Sequence, residues 1–233
     1  MDAVDGSPEL VRVLESAARL QSLVPDAVLV GGSVAAMYAG HRLSYDHDHV
    51  LADLADRFDL ILEALEREPD WILNRAVPGK VILGQLGDIE AGVRQMIRKR
   101  PLETATVTLP NGATIVVPTP QEILRIKAYL VVKRNQTRDF LDVAALSARY
   151  GTEFSALVLA ALDDYYDATT DDPHRVTSQL VRQLSAPAPK DIDVTRDLNS
   201  YKGLAGRWTE WRTVLDECAD LGQSITRLIG GEW

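Results

Sequence analysis

Apolar residues first recur at helical spacing directly after Ser7-Pro8-Glu9, where Leu10, Val11, Val13, Leu14, Ala17 and Ala18 share one side. A capping serine followed by proline at the first helical position marks the start of an amphipathic helix. Ala27 to Val30 is a short, wholly apolar run ended by Gly31-Gly32-Ser33, and Val34 to Tyr38 returns to a helical pattern. The pattern predicts strand, glycine turn, helix. From Tyr45 to Leu51 the alternation puts Asp46, Asp48 and Val50 on one face of an extended segment, with His47 and His49 on the other. Phe58, Ile61, Leu62 and Leu65 then define a second amphipathic helix.

Strand patterns dominate the next stretch. Trp71 to Arg75 and Lys80 to Leu83 flank Pro78-Gly79, and Ile89, Ala91 and Val93 alternate in a further strand. Thr104 to Leu109 and Ala113 to Val117 flank Asn111-Gly112, a dipeptide suited to the two positive φ angles of a type I′ turn. Thr119-Pro120-Gln121-Glu122 combines an N-cap, an N1 proline and a capping-box glutamate, predicting a helix that runs past Val132. Beyond it only helical patterns occur, over Arg138 to Tyr150, Phe154 to Tyr166, His174 to Leu184 and about Glu210 to Leu228, with an Ala-Pro loop ending at Pro189. The expected class is α+β: a mixed sheet flanked by helices over residues 1–118, followed by a helical domain over 119–233.

Composition narrows the function classes. With 233 residues, 46% hydrophobic and 25% charged, the chain can bury a core without metal or disulfide staples. The single cysteine, Cys218, excludes an internal disulfide and a paired-cysteine zinc or redox motif. No apolar run approaches a membrane span and the Met-Asp start lacks a secretory profile, so the expectation is a cytoplasmic protein without membrane contact. A net charge of -9 argues against wrapping nucleic acid over the whole surface.

The chemistry concentrates in Gly31-Gly32-Ser33 and, thirteen residues after the serine, Asp46-His47-Asp48. Glycines after a strand let the backbone approach a phosphate, and the next helix offers it free N–H groups. Ser33 adds a hydroxyl. Two aspartates at i and i+2 on a strand point the same way and can hold one or two Mg²⁺ (or Mn²⁺) ions against triphosphate oxygens and an attacking hydroxyl. A third carboxylate must come from a neighbouring strand. Asp88 and Glu90 are the candidates, and Glu90 is favoured because it lies inside the apolar alternation whereas Asp88 abuts Gly87.

In order and spacing this resembles the nucleotidyltransferase superfamily, whose pattern is a glycine pair with serine or threonine, then two acids separated by one hydrophobic residue. His47 stands where that hydrophobic residue is usual. His41-Arg42-Leu43-Ser44, Gly92-Val93-Arg94-Gln95, Pro118-Thr119-Pro120 leading to Arg125-Ile126-Lys127, and Arg134-Asn135 through Arg138-Asp139 to Asp142 resemble the AbiEii/AbiGii-type toxin branch over roughly Val28 to Tyr150. The resemblance implies transfer of a nucleotide from an NTP to RNA, notably tRNA ends, in a bacterial toxin–antitoxin or abortive-infection system with a cognate antitoxin. It places Arg42 among the NTP contacts. Rival readings are a protein hydroxyl or small molecule as acceptor, and a non-catalytic nucleotide- or partner-binding scaffold.

Lys127 interrupts an apolar stripe with Ile123 and Leu130. It reads either as a lysine whose head snorkels to water or as a γ-phosphate contact, as the toxin branch has it. Asp139 and Asp142 share a helical face and could orient Lys127 or Arg138, or form a surface pair with Arg138 or Arg134. Arg94, Arg98, Lys99, Arg100, Arg125, Lys133, Arg134 and Arg138 crowd the middle of the chain, either as a path for a polyanion or as a solvated face. Aromatic residues at Tyr165, Tyr166, Trp208 and Trp211 read as core. His41, His47 and His49 fall within nine residues, but a zinc site lacks further ligands on their face, since the only other histidine is His174.

Overall fold

The computed structural model describes residues 7–98, 100–167, 175–201 and 203–230, and the chain divides into two compact units. A sheet unit takes Met1–Met37, Leu43–Ile97 and Glu103–Thr119, and a helical unit takes Tyr38–Arg42, Arg98–Leu102 and Pro120–Trp233. Lys99 and His174 lie outside the described residues.

In chain order the first elements are α1 (Pro8–Leu23), β1 (Val28–Val30), α2 (Gly31–Ala39), β2 (Asp46–Leu51), α3 (Leu54–Glu66), β3 (Trp71–Val77), β4 (Val81–Leu86), β5 (Ile89–Gln95), β6 (Thr104–Thr108) and β7 (Thr114–Pro118). Ser7 caps α1 by accepting a hydrogen bond from the Leu10 N–H at 3.3 Å. Five strands form one sheet in the order β1-β2-β5-β4-β3. Only β2 and β5 run parallel in it; β1 is antiparallel to β2, and β4 to both β3 and β5, so the sheet is mixed. The hairpin β6–β7 is held to α1 by Gln21, whose side-chain amide both donates to and accepts from the Val116 backbone at 2.8 Å.

That hairpin departs from the expected two-residue turn. Its last pair is Thr108↔Thr114, and within the intervening loop only Gly112 has positive φ, at +86°. Asn111 instead accepts a hydrogen bond from the Ala113 N–H through its side-chain oxygen at 2.9 Å, closing a local turn that needs no left-handed asparagine.

One face of the sheet is packed. Ile82, Leu86, Ala91, Val93 and Leu51 meet Phe58, Ile61 and Leu65 of α3 and Leu20 of α1 in a single core, worth about 1.5–3 kcal/mol for each large side chain removed from water. Trp71 belongs to that core because residue 84 is glycine. A Cβ built at Gly84 would stand 2.4 Å from the indole Cζ2 and 2.5 Å from the Ile72 carbonyl oxygen.

His47 and His49 also point into this packed face, their rings edge-to-face at 5.3 Å. His47 Nε2 lies 3.0 Å from the Ser16 hydroxyl on α1, so a polar residue in a slot suited to an apolar one has found a hydrogen-bond partner there. Burial, only partly opposed by Asp46, lowers the His47 pKa to about 4, and burial holds His49 well below the ordinary imidazole range. Both rings are therefore neutral at pH 7, in the company of each other and α1.

The helical unit contains α4 (Pro120–Arg134), α5 (Thr137–Tyr150), α6 (Thr152–Ala160), α7 (Val176–Ser185) and α8 (Trp211–Gly230). Its core gathers Phe140, Leu141, Leu146, Leu159, Leu180, Val214 and Ile225, with Trp208, Tyr165 and Tyr166 buried as expected. Asn135 ends α4 at φ +53°, and Gly151 at φ +96° divides α5 from α6. Glu122 does not serve as a capping-box acid. It is fully buried and accepts hydrogen bonds from Arg98 and Arg125. Among the described residues no helix is long and apolar enough to cross a membrane.

The buried histidines fix the sign of the pH dependence. Below pH 6.5 the unfolded chain takes up a proton that folded His47 refuses until about pH 4, so stability is full above 6.5 and falls as pH drops through this window, by up to about 1.4 kcal/mol per pH unit. His47→Leu should cost about 1 kcal/mol at pH 8 through the stranded Ser16 hydroxyl and should flatten the decline in urea-unfolding free energy between pH 7 and 5. Equal slopes for the two proteins would show that His47 is not the titrating group.

Candidate active site

The opposite face of β2 and β5 carries the acids. In the parallel register Asp46 pairs with Glu90 and Asp48 with Gly92, so Asp46, Asp48 and Glu90 share one face across adjacent strands. Paired residues on neighbouring strands project to the same side, which is why a sequence spacing of forty-odd residues collapses into one site. Gly92 leaves the space that Asp48 uses: a Cβ there would sit 2.8 Å from the Asp48 Oδ1 and 2.9 Å from Leu83. Gly31, at φ +85°, opens α2 beside the same aspartate, with its own Cβ position 3.5 Å from that of Asp48. The phosphate-suited helix start and the carboxylates therefore adjoin. These acids, with Asn74, Leu83 and Arg94, line a concavity of about 230 Å³.

Asp46 and Asp48 each have a local partner. Ser44 donates its hydroxyl to Asp46 at 2.9 Å, and Arg94 donates Nε–H to Asp48 at 3.1 Å. Among the described residues no three His, Cys, Asp or Glu side chains are drawn together at metal-binding spacing. The chemistry of the donors nonetheless fits a hard divalent cation. They are carboxylate oxygens on one face of two hydrogen-bonded strands, and Gly92 clears room for one of them. His47 and His49 are on the other face, so they add nothing to such a site. Ser33 is buried, its hydroxyl bonded to the Val30 carbonyl at 3.4 Å. Asp88 stands apart from the three acids. It precedes β5, pairs with Arg12 of α1 and lines a separate depression with Tyr45 and Val13.

The remaining candidates belong to the helical unit, where Arg42 and Lys127 meet around Asp142. Asp142 is fully buried and receives His41 Nε2 at 2.8 Å, Arg42 Nε at 2.8 Å, Arg42 Nη2 at 3.1 Å and Lys127 Nζ at 2.7 Å. Burial raises the Asp142 pKa, but Arg42, Lys127 and His41 overcome it and hold the group well below the usual carboxylate range. Burial lowers the pKa values of Lys127 and His41 despite the pull of Asp142. Lys127 is thus neither snorkelling nor unpaired. Asp139 takes a different partner, Arg134, at 2.6 Å.

Sequence reasoning missed the fate of the basic cluster. Arg98 and Arg125 are consumed by Glu122 inside the helical unit, with Arg98, Arg100 and Arg125 set over the Tyr165 ring at 4.2–5.1 Å. Arg100 pairs with Asp164, Arg134 with Asp139 and Arg94 with Asp48. For Arg94, Arg98 and Arg100 the counter-charges come from acids distant in sequence, which no local window reveals, whereas Arg125 and Arg134 pair with acids three and five residues away. The position of Arg94, four residues after Glu90 on one strand, already puts it on the carboxylate face.

The fold is that of a nucleotidyltransferase. The solved structure of MenT4, a nucleotidyltransferase toxin of Mycobacterium tuberculosis, superposes with a TM-score of 0.54 over 91% of this chain and 82% of that one, at 18% identity. No family model matches the chain. By sequence it is 30% identical over 235 aligned positions, 90% of the chain, to the haem uptake protein MmpL11 of M. tuberculosis. It is also 43% identical over 94 residues, 40% of the chain, to the mycolic acid-containing lipids exporter MmpL11 of Mycolicibacterium smegmatis. The chain spans only 22% and 10% of the lengths of those two proteins.

The Asp142 cluster makes an ordered prediction. Asp142→Ala leaves Arg42 and Lys127 buried without their shared anion and should cost about 3–5 kcal/mol. Lys127→Ala keeps the Arg42–Asp142 pair and should cost less, about 1–3 kcal/mol. Urea unfolding at pH 7 measures both, and equal losses would mean that Lys127, not Asp142, is the centre of the cluster.

Proposed function

We propose that the chain is a metal-dependent nucleotidyltransferase. The observation that carries this reading is the strand register that sets Asp46, Asp48 and Glu90 on one face beside the Gly31-Gly32 start of α2. In this proposal the three carboxylates hold Mg²⁺ or Mn²⁺, which when bound supplies charge neutralisation at the reacting phosphates. The N–H groups of α2 and the glycine turn orient the triphosphate. Glu90 accepts the proton of the attacking hydroxyl, the new bond forms from that oxygen to the α-phosphorus, and the bond to the β-phosphate oxygen breaks with its electron pair leaving on pyrophosphate.

The proposed acceptor is RNA, tRNA in the first place, within a toxin–antitoxin or abortive-infection pair. Support for it comes from the toxin-branch resemblance and from the toxin that shares the fold, not from charge, since most of the basic cluster is paired internally. A second reading has a specific observation in its favour. Similarity over 90% of the chain to a haem uptake protein, whose name describes no group transfer, favours a non-catalytic nucleotide- or partner-binding scaffold.

Incubation with each α-labelled NTP, bulk RNA and Mg²⁺ separates the two. The transferase reading expects labelled RNA, and Asp48→Asn should reduce labelling about 10²-fold or more while leaving thermal unfolding near wild type. Nucleotide binding without label in any acceptor would establish the scaffold reading instead. Label that persists undiminished in Asp48→Asn would overturn the site.

A further inference from the structure

Arg94 lies four residues beyond Glu90 on β5, in register with Val50 of β2 and Val81 of β4, and projects from the carboxylate face. Its Nε donates to Asp48 Oδ1, the same oxygen that occupies the space left by Gly92, while Oδ2 is the carboxylate oxygen on the side of Gly31, 3.8 Å from the Cβ position there. One edge of the Asp48 carboxylate thus faces the phosphate-suited helix start and the other faces a guanidinium. Both partners are partly open to water, Arg94 at 47% and Asp48 at 33% exposure. An ion pair of this kind is weak and easily exchanged, unlike the fully buried pairs around Asp142.

A divalent cation on Asp48 would compete with this guanidinium for Oδ1, and like charges at that separation repel strongly in a concave, partly dehydrated site. The released side chain would remain in the concavity it already lines. Its planar fork matches two oxygens of a phosphate, an anion that the same site is proposed to receive. We propose that Arg94 is a positioning residue that exchanges partners: it neutralises Asp48 in the metal-free protein and moves to a substrate phosphate once the carboxylates hold metal. This rests on the transferase or nucleotide-binding scaffold reading of the site, since either brings metal and a phosphate to it.

The test uses the full chain and Arg94→Gln, with Arg94→Lys as the control that keeps charge and loses the fork. Mn²⁺ binding is followed by the loss of the free-ion electron spin resonance signal, first without nucleotide, and NTP affinity is then measured at saturating Mn²⁺. Removing the competing cation should tighten Mn²⁺ binding about three- to tenfold in Arg94→Gln, and removing the phosphate ligand should weaken NTP binding about tenfold. Arg94→Lys should stay near wild type for Mn²⁺ and fall between the two proteins for NTP. If wild type binds both ligands but Arg94→Gln changes neither affinity, partner exchange is wrong and the site assignment stands. If wild type takes up neither Mn²⁺ nor NTP, the site assignment fails and takes this inference with it.

Discussion

The parallel pairing of β2 with β5 is the constraint on which the site depends. A strand hydrogen-bonded on both sides can send its side chains in only two directions, and β2 has β1 on one side and β5 on the other. Its sequence therefore splits into acids on the open face and imidazoles on the packed face. A slip of one residue would bury Asp46 and Asp48 against α1 and expose the histidines, at a cost of several kcal/mol for each dehydrated carboxylate. The Ser16–His47 contact on one face and the Gly92 clearance on the other both select the same register.

Charge is handled differently in the two units. On the sheet, acids are partly exposed and partnered by groups that can leave, Ser44 and Arg94. In the helical unit, Glu122 and Asp142 are each fully buried and each bridges two cations. A buried acid serving two bases orders several side chains at once, and removing it exposes each cation to an uncompensated interior. Reactivity belongs with the first arrangement and rigidity with the second.

The sequence made local structure legible wherever one residue fixes one conformation. Ser7-Pro8 did so for α1, the alternation around Ile89 for β5, and proline at position 120 for α4. It also made the face shared by Asp46 and Asp48 legible, because strand periodicity needs no tertiary information. Three features differ from their local reading. Glu122 matched a capping box by spacing, yet Arg98 and Arg125 bind it more strongly than a terminal N–H could. Arg42, which the toxin-branch resemblance places among the NTP contacts, is bound by Asp142 a hundred positions away. Asn111-Gly112 promised a tight hairpin, but a side-chain turn at Asn111 competes with the left-handed backbone. Arg98 and Asp142 are partners that spacing does not supply, whereas the Asn111 turn closes within two residues.

His41 and Arg42 have a consequence for the chain as a continuous thread. They are grouped with the helical unit and are bound to Asp142 of α5, yet they precede nearly all of the sheet in synthesis. During translation they emerge about a hundred residues before the carboxylate that holds them, so the helical unit closes only after the intervening strands have been made. A fragment beginning at Pro120 would contain every long helix of that unit and still lack two of the three groups on Asp142. The helices are therefore not a detachable module, because β2 to β7 are threaded between Arg42 and the helix that carries Asp142.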